Sequence, residues 1–307
     1  MRLEFKSISS VWISSILGIT LIIFLGACSS NQTTTNQQTV SSQENTTLAT
    51  ETTQSVERVI ALNSLSADLI QRLDETKLVG IPGSSLVNKN EQLKDLPQVT
   101  QGRMPPNLEK ILTLKPDLVI GSTGFHDQAA KKLEELGIKT KLYDVDSWES
   151  LTTITEELAQ AVNADPEPLL EKYQSLLSQP SKNSPSTLVL ISRQPILSPN
   201  KNSWSGDMLS QFNITNLVAD LQGDSVMQGY ISLSAEKILQ TDPEILLVVE
   251  TGNNTLDTFK SQTFWNQLKA VKNNQVYVFE YYGLVNPGSV EAIEQASLQL
   301  QEITANN

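Results

Sequence analysis

The sequence predicts an α/β fold of two similar lobes, each a mostly parallel sheet flanked by helices, joined by one long rigid helix with a cleft between the lobes. Three observations predict it. Short apolar runs alternate with stretches of helical periodicity throughout the body. A glutamate, a helix, a proline, an acid and a buried strand recur in the same order in each half. A long amphipathic stretch lies between the two copies. The boundaries that follow are 1–27 for a signal segment, 28–55 for a tether, 56–160 for an N-terminal α/β lobe, 161–184 for the connecting helix and 185–307 for a C-terminal α/β lobe.

Composition narrows the functions open to such a chain. With 307 residues, 39% of them hydrophobic, it can bury a full core. Its 34 acids against 22 bases give a net charge of −12, which argues against nucleic acid as a partner, because phosphate binding needs a basic face. There is one cysteine, Cys28, and one histidine, His126. An intramolecular disulfide, a cysteine metal cluster and three-histidine metal chemistry are therefore excluded.

The elements follow in order. Arg2 and Lys6 precede an apolar run from Val11 to Phe24, too short and too soon followed by polar sequence for a stable membrane span, so it reads as a secretory signal. Leu25-Gly26-Ala27-Cys28 resembles the bacterial lipobox, which implies cleavage before Cys28 and lipid on its sulfur and new amino terminus. Ser29 to Ser55 is almost entirely Ser, Thr, Asn and Gln, a composition that cannot bury enough apolar surface to fold and that suits a reach-giving tether. The body opens with Arg58 to Leu62 as a buried strand, Leu65 to Leu73 as a helix and Leu78 to Ile81 as a second strand. Leu118 to Gly121, Leu142-Tyr143, Leu188 to Ile191, Ile245 to Val249 and Val276 to Phe279 are the further strand candidates. The repeat pairs Glu109-Lys110-Ile111-Leu112 and Lys115-Pro116-Asp117-Leu118 with Glu236-Lys237-Ile238-Leu239 and Asp242-Pro243-Glu244-Ile245. Between the copies, Trp148 to Val162 is amphipathic, Asp165-Pro166 restarts the helix and Leu169 to Leu177 continues it. A helical connector predicts a small opening motion rather than a wide hinge.

Three motifs carry a family resemblance over Val56 to about Ile303. They are Gly102-Arg103-Met104-Pro105-Pro106-Asn107-Leu108-Glu109 running on to Lys115-Pro116-Asp117-Leu118-Val119, Gly229-Tyr230-Ile231-Ser232-Leu233-Ser234-Ala235-Glu236, and Phe264-Trp265 with Leu268 to Val271 and Val276 to Phe279. On these the chain resembles the helical-backbone (class III) substrate-binding proteins of ABC importers for ferric siderophores, haem and cobalamin, in lipoprotein form. The resemblance implies a non-enzymatic role: capture of a ferric siderophore and delivery to an ABC permease, with iron held only inside the chelate and no intrinsic cofactor. It implies a location in the cell envelope, lipid-anchored through Cys28 at the outer face of the cytoplasmic membrane or in the periplasm, and a monomer. It also implies that Glu109 and Glu236, one on each lobe, dock with arginines of the permease, although both fit ordinary first-turn acids stabilised by a helix dipole.

Ligands of open parallel sheets bind beyond the carboxyl ends of the strands. That places Asn63, Ser64 and Phe125 at the cleft. Arg103 is a permanently charged, planar donor suited to an oxygen-rich anionic chelate, or a surface arginine paired with an acid. Trp204, in a small-residue loop, and Tyr230, Tyr281 and Tyr282 are expected as aromatic walls. Phe125 stands where hydroxamate binders of this family carry a tyrosine, and Gln228 where they carry a tryptophan. His126 is open between a ligand contact and a solvated loop side chain. A corrinoid cargo, an extracytoplasmic hydrolase or a ligand-sensing lipoprotein are the alternatives, although no nucleophile elbow or phosphate loop is present.

Overall fold

The computed structural model describes residues 56–102, 104–177, 184–191, 194–223, 225, 227–252 and 254–305. The expected signal segment, the lipidated Cys28, the tether and Arg103 lie outside the described residues. The described residues belong to one compact unit.

The N-terminal lobe carries β1 (Val59–Ala61), α1 (Ser64–Asp74), β2 (Leu78–Gly80), α2 (Ser85–Lys89), α3 (Leu108–Leu114), β3 (Leu118–Ser122), α4 (Asp127–Glu135) and β4 (Lys139–Tyr143). Its four strands form a parallel sheet in the order β2-β1-β3-β4. Two helices follow, α5 (Trp148–Val162) and α6 (Glu167–Leu177). The C-terminal lobe carries β5 (Ser186–Ile191), β6 (Ile196–Pro199), α7 (Trp204–Gln211), β7 (Thr215–Asn216), β8 (Tyr230–Leu233), α8 (Ala235–Thr241), β9 (Ile245–Glu250), α9 (Thr255–Lys260), α10 (Lys269–Lys272), β10 (Val276–Glu280), the short turn α11 (Tyr281–Leu284) and α12 (Val290–Ala305). Its sheet runs β10-β9-β5-β6-β8, with β7 added beside β5. The β10, β9 and β5 strands are parallel, whereas β6 is antiparallel to both of its neighbours.

The internal repeat folds the same way in both lobes. Helices α3 and α8 are N-capped by Asn107 and Ser234, whose side chains accept the N–H groups of Lys110 and Lys237. Both end on a residue in the left-handed region, Lys115 at φ 48° and Asp242 at φ 35°. The acid after each proline then ties two parallel strands together at their start. Asp117 Oδ2 accepts the N–H groups of Glu57 and Arg58 at 2.9 Å each, and Glu244 Oε2 accepts Ser186 N–H at 3.0 Å. Those Ser186 contacts, with Lys269 beside them, hold the Glu244 carboxyl at about 2.

Strand periodicity decides where the core sits. Val59 and Ala61 of β1, Leu118 and Ile120 of β3, Val189 and Ile191 of β5, and Ile245, Leu247 and Val249 of β9 all face one apolar cluster. The alternate residues face two separate outer clusters, Ile60 and Val119 in one lobe and Leu188, Leu190, Leu246 and Val248 in the other. The inner faces of both sheets therefore share one core, filled between them by Leu69 of α1, Leu151, Ile154 and Leu158 of α5, Met208 of α7 and Ile293 and Leu300 of α12.

The helical stretch between the lobes is divided where Asn163 adopts φ 57° and its N–H closes on the carbonyls of Ala159 and Gln160. The lobes are joined as well by the shared core and by α12, which packs against α1 and α6. Asp68 of α1, 6% exposed, accepts the Val290 N–H at the start of α12 at 2.8 Å and pairs with Arg72 at 3.0 Å. Lys172 of α6 pairs with Glu294, and Gln301 donates to the Leu176 carbonyl.

Asp68→Ala leaves the Val290 N–H without its acceptor and is expected to destabilise the protein by about 2 kcal/mol. Asp220→Ala, at the exposed pair with Lys201, is expected to cost less than about 0.5 kcal/mol. Urea unfolding midpoints of the two variants check the contrast.

Candidate functional site

A cleft of about 350 Å³ opens between the lobes. On the N-terminal side it is lined by residues at or just beyond the carboxyl ends of β1, β3 and β4: Asn63 and Ser64, Ser122, Thr123 and Phe125, and Tyr143 to Asp146. On the other side come Asn202 to Trp204, Met227, Gln228 and Tyr230, Tyr281 and Tyr282, and Val285 to Pro287.

Asn63 and Ser64 are held in place by their own bonds. Asn63 caps α1, accepting Ser66 N–H at 2.8 Å and donating to Ser122 Oγ at 2.9 Å, and so links the ends of β1 and β3. Ser64 Oγ bonds Ser84 Oγ at 2.7 Å. Phe125 stands at the rim, 88% exposed, on a turn that Gly124 makes at φ 79°. Tyr281 and Tyr282 follow β10 and meet edge to face at 5.5 Å. Gly283 turns the chain at φ 99°, and a Cβ there would lie 2.2 Å from the Ala292 carbonyl oxygen. The two tyrosines are thus presented by a turn pressed directly onto α12.

Trp204 differs from its expected place in a loop. It is the first residue of α7 and only 2% exposed. Ser203 caps this helix through the Gly206 N–H, and Gly206 sits where a Cβ would fall 1.9 Å from the Asn200 carbonyl oxygen. The small residues that suggested a loop are the ones that let the helix start against the preceding chain. Trp204 Nε1 donates to the Gly283 carbonyl at 2.7 Å, and its ring lies 5.6 Å from that of Trp148. It reaches the cleft as floor rather than as a free wall. Tyr230 is likewise buried at the start of β8, with its hydroxyl donating to the Val285 carbonyl at 3.3 Å and 3.2 Å from Ser205 Oγ.

His126 lies beneath the Phe125 turn and is not among the residues lining the cleft. Its Nδ1 accepts the Ser122 N–H at 2.9 Å, so the neutral ring carries its proton on Nε2. Burial lowers its pKa below the ordinary 6.5, against the opposing charge of Asp127. Glu109 and Glu236 are exposed in the first turns of α3 and α8, outside the cleft.

Asp144 and Asp146 line the cleft in the segment after β4. Burial and then the charge of Asp146 raise the Asp144 pKa. Among the described lining residues these two acids carry all the charge. Neither acid is among the residues expected from the sequence, although the rule that ligands sit beyond the carboxyl ends of parallel strands applies to β4 as much as to β1 and β3. Ser66 was also missed, since nothing in a sequence marks one helix serine as unpartnered: it is 0% exposed, lines the cleft, and its Oγ has no hydrogen-bond partner. Among the described residues, no group of three or more His, Cys, Asp or Glu side chains could hold a metal ion.

Residues 59–281 match the family described as periplasmic binding protein. The chain belongs to that family. Among curated proteins it is 29% identical over 241 residues to the Fe(3+)-citrate-binding protein YfmC of Bacillus subtilis, covering 72% of each chain. It is 28% identical over 255 residues to the high-affinity heme uptake system protein IsdE of Staphylococcus aureus, covering 76% of this chain and 84% of that one. An ABC transporter substrate-binding protein from Listeria monocytogenes superposes with a TM-score of 0.68 at 22% identity, over 82% of this chain and 99% of the other, which shows the shared fold. The family and these relatives are substrate-binding transport proteins rather than enzymes. No helix among the described residues is long and apolar enough to cross a membrane.

The His126 geometry predicts a pH effect. A base whose folded pKa is depressed contributes stability that is present above its unfolded value of 6.5 and is lost as pH falls through that value toward the folded one. Unfolding midpoints are expected to fall between about pH 7.5 and about pH 5.5, with the fall reduced in His126→Asn.

Proposed function

We propose that this protein captures a ferric siderophore outside the cytoplasmic membrane and passes it to an ABC permease. The observation that carries the reading is the interlobe cleft, set at the carboxyl ends of parallel strands and walled by Phe125, Tyr281 and Tyr282 beside hydroxyls and amides. Aromatic faces with a few fixed polar groups suit a bulky chelate whose metal is already enclosed by its own oxygens. The curated relatives point the same way, since the names of both concern iron complexes, ferric citrate and heme. A second reading, heme itself, is favoured by the relative whose length the match covers to 84%. In the leading reading Cys28 carries the lipid anchor, Arg103 adds a cation to the ligand site, and iron enters and leaves only as part of the chelate.

Docking is assigned to Glu109 and Glu236. They occupy the same position in two helices with matching caps, one in each half of an internal repeat, so two related carboxylates can address two copies of a permease subunit.

Two measurements test the proposal. Titration with ferric hydroxamate, ferric catecholate, ferric citrate, heme and cobalamin, followed by tryptophan fluorescence, reads the Trp148–Trp204 pair below the cleft. Saturable quenching by a ferric hydroxamate or catecholate at about micromolar concentration is expected. Quenching by heme alone would establish the second reading, and quenching by cobalamin alone would exclude both. The double variant Glu109→Ala, Glu236→Ala is expected to keep its ligand affinity and abolish uptake of labelled chelate by cells. Uptake that survives the double change removes the docking assignment.

A further inference from the structure

We infer that the cleft selects chelates bearing a positively charged ammonium group, which Asp144 and Asp146 receive on the N-terminal side. The inference rests on the ferric-siderophore reading above, in which Arg103 meets the oxygens of the chelate, and gives the two acids a separate ammonium-bearing arm of the same ligand.

Three observations lead to it. The first is charge: Asp144 and Asp146 are the charged residues among the described residues lining the cleft. Burial and mutual repulsion make the ionised Asp144 less favourable, and a cation between the two carboxylates relieves that repulsion. Asp146 Oδ1 accepts the Ser147 hydroxyl at 3.2 Å at the start of α5. The second is aromatic content. Phe125, Tyr281 and Tyr282 line the same cleft, and ring faces beside carboxylates are the surroundings an ammonium group prefers over an anion. The third is independent of charge. Ser66 is fully buried, lines the cleft and leaves its hydroxyl without a partner. A buried hydroxyl left unbonded is costly, and a polar group of a bound ligand would satisfy it.

The test compares two ferric complexes of one linear trihydroxamate, one with its terminal primary ammonium free and one with that amine acetylated, so that only charge differs at the far end. Both are titrated into the wild-type protein and into Asp144→Asn, Asp146→Asn, which keeps an acceptor oxygen for Ser147. Wild type is expected to bind the ammonium form about tenfold more tightly, the scale of two partly solvated ion pairs, with the preference shrinking as salt rises. The double variant is expected to bind both forms alike. Equal binding of the two forms by wild type, or a preference that survives in the variant, overturns the inference while leaving the siderophore reading in place. Binding of neither form, with ferric citrate or heme bound instead, overturns both.

Discussion

The inner faces of the two sheets bury their alternate residues in one apolar cluster that crosses from lobe to lobe, and the rest of the molecule is arranged around it. Burial at about 25 cal/mol per Å² makes such a seam expensive to open. Asp68 adds direction to this otherwise non-directional contact. Its carboxylate meets the amino end of α12 and anchors that helix to α1. Arg72 beside it compensates a charge that would otherwise be buried alone.

The cleft takes its character from that seam. Its floor, Trp204 and Tyr230, is part of the packing, and both side chains use their polar atoms on carbonyls of the segment after β10. Its rim is different. Phe125, Asp144 and the Tyr281–Tyr282 pair stand on loops held by neighbouring bonds, with rings or carboxylates turned to the opening. In the proposed reading, changes at the floor alter stability, whereas changes at the rim alter what is bound.

Each copy of the internal repeat serves folding and, in the proposed reading, delivery. The acid after the proline closes the start of a parallel strand pair, and the glutamate in the helix before it is left at the surface. Ile111 and Ile238 are fully buried, so packing accounts for their recurrence. It does not account for the exposed glutamates.

Strands whose apolar runs are continuous were legible, because a parallel strand covered on both faces has no polar positions to blur it: β1, β3, β5 and β9 lie where the sequence predicts. Strands β6 and β8 were missed, since Ile196–Pro199 and Tyr230–Leu233 mix polar and apolar residues and are strands only because each pairs antiparallel with the other. Local sequence determined the repeat, its caps and its proline-bounded helices, all set by contacts within a few residues. Tertiary structure alone decided that Trp204 is floor, that Ser66 is left without a partner, and that Asp68 reaches Val290. Each of these depends on which distant backbone atoms arrive beside a side chain, and no local pattern encodes that.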